Sequence, residues 1–134
     1  MSNATVQVGS TENLAPGKDI VRAMLGGTMG PDDTKLVGAW AEGLGQAVKK
    51  LHDEKGQKVG VLIDLRTLQT YTDPEILPIL AKLMKEDDAL VYRTATFGGN
   101  VIHEMVEKII SSMSGRNNLK NFKTEEEALS WLRE

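Results

Sequence analysis

Seven residues in the middle of the chain, from Val59 to Leu65, form an almost unbroken apolar run that reads Val-Gly-Val-Leu-Ile-Asp-Leu. A strand with one solvated face alternates apolar and polar residues, whereas a strand of a parallel sheet is apolar throughout because both of its faces are covered. Parallel neighbours also require a crossover connection, which is usually a helix. The run therefore predicts the central strand of a largely parallel sheet.

Strands and helices are predicted to alternate along most of the chain. Strands are predicted over residues 5–8, 20–25, 59–65, 90–97 and 119–122, with the second ending at Gly26-Gly27. Helices are predicted to begin near Pro31, Thr72, Val101 and Thr124, after a proline, a capping hydroxyl or a capping amide. This order predicts one domain over residues 1–134, with an α/β fold in which four helices pack on a mixed, mostly parallel sheet of about five strands.

Composition excludes several kinds of site. The 134 residues include no cysteine, and the two histidines, His52 and His103, lie far apart, so neither a disulfide, a metal nor a cofactor is expected. The net charge of −3 leaves no basic footprint for nucleic acid. No apolar run approaches the roughly 20 residues of a membrane span, and the N-terminal residues do not form a signal peptide, so a cytoplasmic location is expected.

The loops after the second, third and fourth strands are expected to meet at the carboxyl edge of the sheet, where open α/β sheets bind ligands. Six residues in these loops are candidate contact residues for a ligand or partner: Gly27, Arg66, Thr72, Asp73, Gly99 and Asn100. Two predicted helix N-termini and Arg66 would give this edge a local positive potential, which favours an anionic group. The alternative is a structural ion pair between Arg66 and Asp64.

Three segments carry a resemblance to a known family. Residues 20–26 form a strand that ends in glycine, Val61 to Leu65 form a central strand that ends in Asp-Leu, and residues 122–132 form a strand end followed by a capped helix. With these segments the chain resembles the SpoIIAA-like superfamily, which includes the STAS domains of anti-sigma factor antagonists and sulphate transporters. The third segment is similar to the ending of its less characterised branch. The resemblance implies a STAS-like fold over nearly the whole chain and a regulatory or interaction role.

The regulated members of that superfamily carry Asp-Ser-Ser-Gly at the start of the helix after the central strand. The corresponding residues of this chain are Thr72-Asp73-Pro74-Glu75, which put a proline at the position of the phosphoacceptor serine. Because proline has no hydroxyl, the serine phospho-switch is expected to be absent. Capping of the helix accounts for the hydroxyl of Thr72.

Three functions remain open on this basis. The first is a non-enzymatic regulatory or protein-interaction module, which a shallow carboxyl edge would favour. The second is a binding protein for a small apolar, acyl or lipid ligand, which an enclosed cavity lined by methionines such as Met24, Met84 and Met105 would favour. An enzyme ranks third, since no nucleophile–base pair or metal ligand set is present. The sequence leaves open whether the partner is a protein or a small anionic or apolar ligand, and whether the chain forms a homodimer.

Overall fold

The computed structural model of the protein describes residues 3–29, 33–71, 78–79, 82, 85–86, 89–98 and 118–134. The elements are β1 (Asn3–Ala15), β2 (Lys18–Met29), α1 (Thr34–Lys55), β3 (Val59–Asp64), β4 (Leu68–Tyr71), β5 (Val91–Phe97), β6 (Leu119–Phe122) and α2 (Glu125–Arg133). The described residues thus contain two helices rather than the four predicted. The helices predicted to begin at Thr72 and Val101 lie mostly or wholly outside the described residues.

A mixed sheet forms the centre of the fold, as predicted. Its strand order is β1-β2-β3-β5-β6, and β4 pairs with β2 beyond the end of β3. The longest pairing, between β1 and β2, is antiparallel, whereas β2–β3, β2–β4, β3–β5 and β5–β6 are parallel. The apolar run predicted to be central is β3, which lies between β2 and β5 and is buried at every residue except Asp64.

The β1–β2 hairpin is much longer than predicted. The sequence predicted a short edge strand over residues 5–8, but β1 extends to Ala15 and pairs with β2 as far as Lys18. The register shifts between Val8 and Thr11, which is a bulge of the kind found in edge strands. The prediction failed because an exposed edge strand tolerates polar residues, so the polar stretch after Val8 resembled a loop.

The prediction that Gly26-Gly27 ends β2 is also wrong, because β2 continues to Met29. A Cβ atom at Gly26 would lie 2.0 Å from the hydroxyl oxygen of Thr67, so glycine is needed there for close approach and not for chain reversal. Thr67 belongs to the segment Leu65–Thr67, which separates β3 from β4 along β2. We call this segment the strand break.

Helix α1 covers one face of the sheet. It begins at Thr34, three residues after the predicted start at Pro31, and ends at Lys55, where Gly56 caps it in the left-handed conformation. Its buried face, which packs on the apolar residues of β2 and β3, consists of Val37, Trp40, Ala41, Leu44, Val48 and Leu51. The indole N–H of Trp40 also donates a hydrogen bond of 2.9 Å to the carbonyl oxygen of Gln7, which ties α1 to β1. No helix among the described residues is long and apolar enough to cross a membrane.

Helix α2, which the sequence predicted to begin near Thr124, packs on the opposite face of the sheet. Its N-cap is Thr124, whose hydroxyl oxygen accepts a hydrogen bond from the backbone N–H of Glu127 at 3.2 Å. Ala128 and Leu132 are fully buried against a cluster from the sheet that comprises Ile20, Leu62, Ala95 and Phe97. The other end of α2 is held from β5, because the Tyr92 hydroxyl donates to the carbonyl oxygen of Leu132 at 2.8 Å. Burial raises the pKa of Tyr92 to about 12, so this donor stays protonated at neutral pH.

Candidate functional site

A cleft of about 270 Å³ lies beside α2 on the sheet. Its floor includes Leu62 and Phe97, near the carboxyl ends of β3 and β5. Its charged lining comes from β2, β3, the strand break and α2, and consists of Arg22, Asp64, Arg66 and Glu125. We call this recess the carboxyl-edge cleft. Its volume is slightly below the roughly 300–1,000 Å³ of pockets that enclose small ligands.

Arg66 and Asp64 form an ion pair at the strand break. The Nε atom of Arg66 donates to both carboxylate oxygens of Asp64 at 3.1 and 3.2 Å, and its Nη2 atom donates to Oδ2 at 2.8 Å. The backbone N–H of Arg66 donates to Oδ1 of the same carboxylate at 2.9 Å. The structural pairing that the sequence left as an alternative is therefore present. A pair of this geometry fixes the direction of the guanidinium.

Two residues at the end of β5, the strand next to β3, also contact Arg66. The Arg66 guanidinium lies over the ring of Phe97, 5.2 Å from its centroid. Gly98 has a φ of +81°, and a Cβ atom there would lie 2.2 Å from Cγ of Arg66. The side chain of Arg66 therefore runs across a position that only glycine leaves free, and 60% of it remains exposed.

Arg22 is the second arginine of the cleft, and it lies between two carboxylates from distant parts of the chain. Its Nε and Nη2 atoms contact Oε2 of Glu12 on β1 at 2.7 and 2.6 Å, and its Nη1 atom contacts Oε1 of Glu125 on α2 at 2.6 Å. Burial alone would lower the pKa of Arg22, but the hydrogen bonds that it donates to both carboxylates, with their negative charges, outweigh burial and raise the pKa. Arg22 thus links the hairpin to α2 across the cleft.

Of the six predicted contact residues, the structure brings Gly27 and Arg66 to the same edge. The backbone N–H of Gly27 donates to the carbonyl oxygen of Thr67 at 2.8 Å, next to Arg66. The other four, Thr72, Asp73, Gly99 and Asn100, lie outside the described residues.

The helix N-termini of the predicted positive potential lie outside the described residues; in the described part of this edge two guanidiniums face the carboxylates of Glu12, Asp64 and Glu125. Sequence reasoning missed Arg22 and its two partners. An arginine within the apolar strand β2 is a signal in itself, since a partly buried charge requires a partner. Nothing in the sequence, however, identifies Glu125 as that partner.

Asp64 has a pKa below its ordinary value. Burial raises the pKa of this carboxyl, but hydrogen bonds from the side chain and backbone of Arg66, with the charges of Arg66 and Arg22, outweigh burial and lower it. Because the folded pKa lies below the unfolded one, the stability from this pair is present above the unfolded pKa, about 3.9. That stability is lost as the pH falls through the folded pKa.

Replacing Arg66 by alanine should therefore raise the pKa of Asp64, since burial remains while the main opposing cause is removed. We expect the melting temperature at neutral pH to change little, because Arg66 is largely exposed. Carbon-13 NMR titration of the Asp64 carboxyl measures the shift. Lys50→Ala, which removes an exposed charge from α1 on the other face, is the matched control and should leave that pKa unchanged. An unchanged pKa in Arg66→Ala would contradict the pairing.

A second recess, of about 670 Å³, lies beside α1. The small residues Gly38, Ala41 and Gly45 of α1 line it on one side, and Ile79 and Leu90 line it on the other. Its remaining lining is mostly polar or charged and includes Glu42, Gln46, Lys49, Lys82 and Glu86. It is open, as is the carboxyl-edge cleft. Within the described residues, no group of three His, Asp or Glu side chains is placed to hold a metal ion.

Along the chain, an antiparallel hairpin is followed by parallel strands of the same sheet and then by a last helix on the face opposite α1. This order of elements defines a known fold. A crystal structure of an uncharacterised protein with a SpoIIAA-like fold from Shewanella loihica PV-4 matches 98% of this chain and 97% of its own, with a TM-score of 0.63. At 16% sequence identity this similarity shows the fold alone.

The SpoIIAA-like family model matches residues 33–133, and the chain belongs to that family. The predicted family is thereby confirmed, and two of the three segments, 61–65 and 122–132, lie within the matched range. No curated protein matches the chain significantly.

Proposed function

We propose that the chain is a non-enzymatic regulatory or protein-interaction module of the SpoIIAA-like family, and that a partner protein binds at the carboxyl-edge cleft. The observation that carries this proposal is the ordered, shallow surface around Arg66, which is held by Asp64, Phe97 and Gly98 while most of its side chain is exposed. Arginine held in this way is a frequent anchor of protein interfaces. The contact surface would include Gly27 and, from the sequence argument, Thr72, Asp73, Gly99 and Asn100.

The shape and chemistry of the cleft support binding over catalysis. Asp64 and Glu125 are each paired with a guanidinium, and the lowered pKa of Asp64 makes it a weak base at neutral pH. A binding site for an apolar or acyl ligand would be enclosed and apolar, whereas this recess is open and edged with charges. With Pro74 at the family's acceptor position, the module would be regulated by binding and not by serine phosphorylation.

Native mass spectrometry of the chain isolated from its own source tests this proposal. We expect the unmodified chain to carry a protein partner in a fixed ratio, and Arg66→Ala to lose most of that partner. The control Lys50→Ala should keep it. A bound small molecule in place of a protein would support the ligand-binding alternative, and equal retention by Arg66→Ala would place the interface elsewhere.

A further inference from the structure

The two arginines of the carboxyl-edge cleft use their hydrogen-bond donors differently. A guanidinium has two edges that can each bind a carboxylate, one formed by Nε with one Nη atom and the other formed by the two Nη atoms. Arg22 binds Oε2 of Glu12 through Nε and Nη2, and its Nη1 atom binds Oε1 of Glu125, so two carboxylates of the chain contact this guanidinium. One guanidinium in this cleft therefore already accommodates two carboxylates.

Arg66 has the same arrangement with one carboxylate missing. Its Nε and Nη2 atoms bind Asp64, and Nη1 has no hydrogen-bond partner among the described residues. Within the described part of the chain, the edge formed by Nη1 and the outer N–H of Nη2 therefore holds no carboxylate, and 60% of the Arg66 side chain is exposed.

The open edge is also held in place. Asp64 sets the orientation of the guanidinium, the ring of Phe97 lies under it, and Gly98 gives its aliphatic stem a defined path. Binding to a long side chain usually costs rotamer freedom, and that cost is smaller where the side chain is already ordered. Because Asp64 balances its charge, Arg66 offers directed N–H donors and not a broad positive potential.

We propose that this open edge of Arg66 binds the carboxylate of an aspartate or glutamate side chain of the partner protein. The inference rests on the proposed function, and it names the chemistry of the partner group at that site. The partner's carboxylate would complete on Arg66 the carboxylate–guanidinium–carboxylate arrangement that Arg22 forms internally with Glu12 and Glu125. Arg66 would then fix the position of the partner, since a planar two-oxygen group matches two parallel N–H donors.

The test uses the full chain and a capped Glu-Glu dipeptide, followed by nitrogen-15 NMR of the arginine side chains. We expect the Nε and Nη signals of Arg66 to shift in a saturable way while those of Arg22 remain in place. The uncharged Gln-Gln dipeptide, which has the same shape, should produce no such shift. Arg66→Lys keeps the charge but lacks the second edge, and we expect it to weaken binding of Glu-Glu by roughly tenfold.

Several results would overturn this inference. Equal shifts with Gln-Gln, first shifts at Arg22, or full binding by Arg66→Lys would each show that the open edge is not the recognition element. Tighter binding of inorganic phosphate than of Glu-Glu at Arg66 would mean that the site recognises a phosphoryl group instead. If these tests fail while Arg66→Ala still loses the native partner, the proposed interface stands and only the carboxylate chemistry is wrong.

Discussion

A chain that ends at Glu127 is expected to unfold or aggregate at temperatures where the full chain is folded. The deletion removes Leu132, which is fully buried, and Trp131, whose ring lies 5.5 Å from that of Phe122. It also uncovers Ile20 and Leu62 on the sheet. Burial of a leucine and a tryptophan stabilises a fold by roughly 3–5 kcal/mol, which is a large share of the 5–15 kcal/mol typical of a folded domain.

Single substitutions in α2 keep this prediction testable if the shortened chain cannot be purified. We expect Leu132→Ala to lower the free energy of unfolding by about 2–5 kcal/mol in urea denaturation, because it leaves a cavity between α2 and the sheet. Ser130→Ala, on the exposed side of the same helix, is the matched control and should change it by no more than about 0.5 kcal/mol. A shortened chain that melts like the full chain would show that α2 is a detachable tail.

Gly98→Ala is expected to destabilise the protein by roughly 2–3 kcal/mol and to displace Arg66 from the ring of Phe97. Two causes act together. The φ of +81° at Gly98 is costly for any residue with a Cβ atom, and that atom would lie 2.9 Å from Cα and 2.2 Å from Cγ of Arg66. The side chain of Arg66 can move, but its backbone is fixed by the hydrogen bond from its N–H to Asp64. Urea denaturation measures the loss, and the NMR signal of the Arg66 Nε–H group reports the displacement.

Gly38→Ala provides the control for this substitution, because it makes the same chemical change in a different environment. Gly38 lies inside α1, and a Cβ atom there would meet no atom of another described element within 4 Å. Alanine is favoured over glycine in a helix by about 1 kcal/mol, so this variant should be more stable than the original chain. The two variants should therefore change stability in opposite directions. If Gly98→Ala is as stable as the original chain, the close contact with Arg66 is not present in solution.

Elements whose signals lie in adjacent residues were predicted well. The unbroken apolar composition of β3 predicted a strand covered on both faces, and the spacing of Thr124 and Glu127 predicted the N-cap of α2. The polar part of β1 was missed because exposed edge strands and loops have similar compositions. The short strand β4 was missed because it pairs with the last residues of β2. Gly26 and Gly27 had been interpreted as the end of β2, so this pairing was not expected.

The sequence by itself determined the α/β class, the central strand, the position of Arg66 near Asp64 and membership in a family with this fold. Burial and capping act between neighbouring residues, so the order of residues is enough to reveal them. Only the tertiary structure decided that Glu12 and Glu125 both bind Arg22, and that Phe97 and Gly98 contact Arg66, whose Nη1 atom has no partner in the described ranges. Those contacts join residues far apart in the chain, and their geometry depends on strand register and helix placement, which no local pattern specifies.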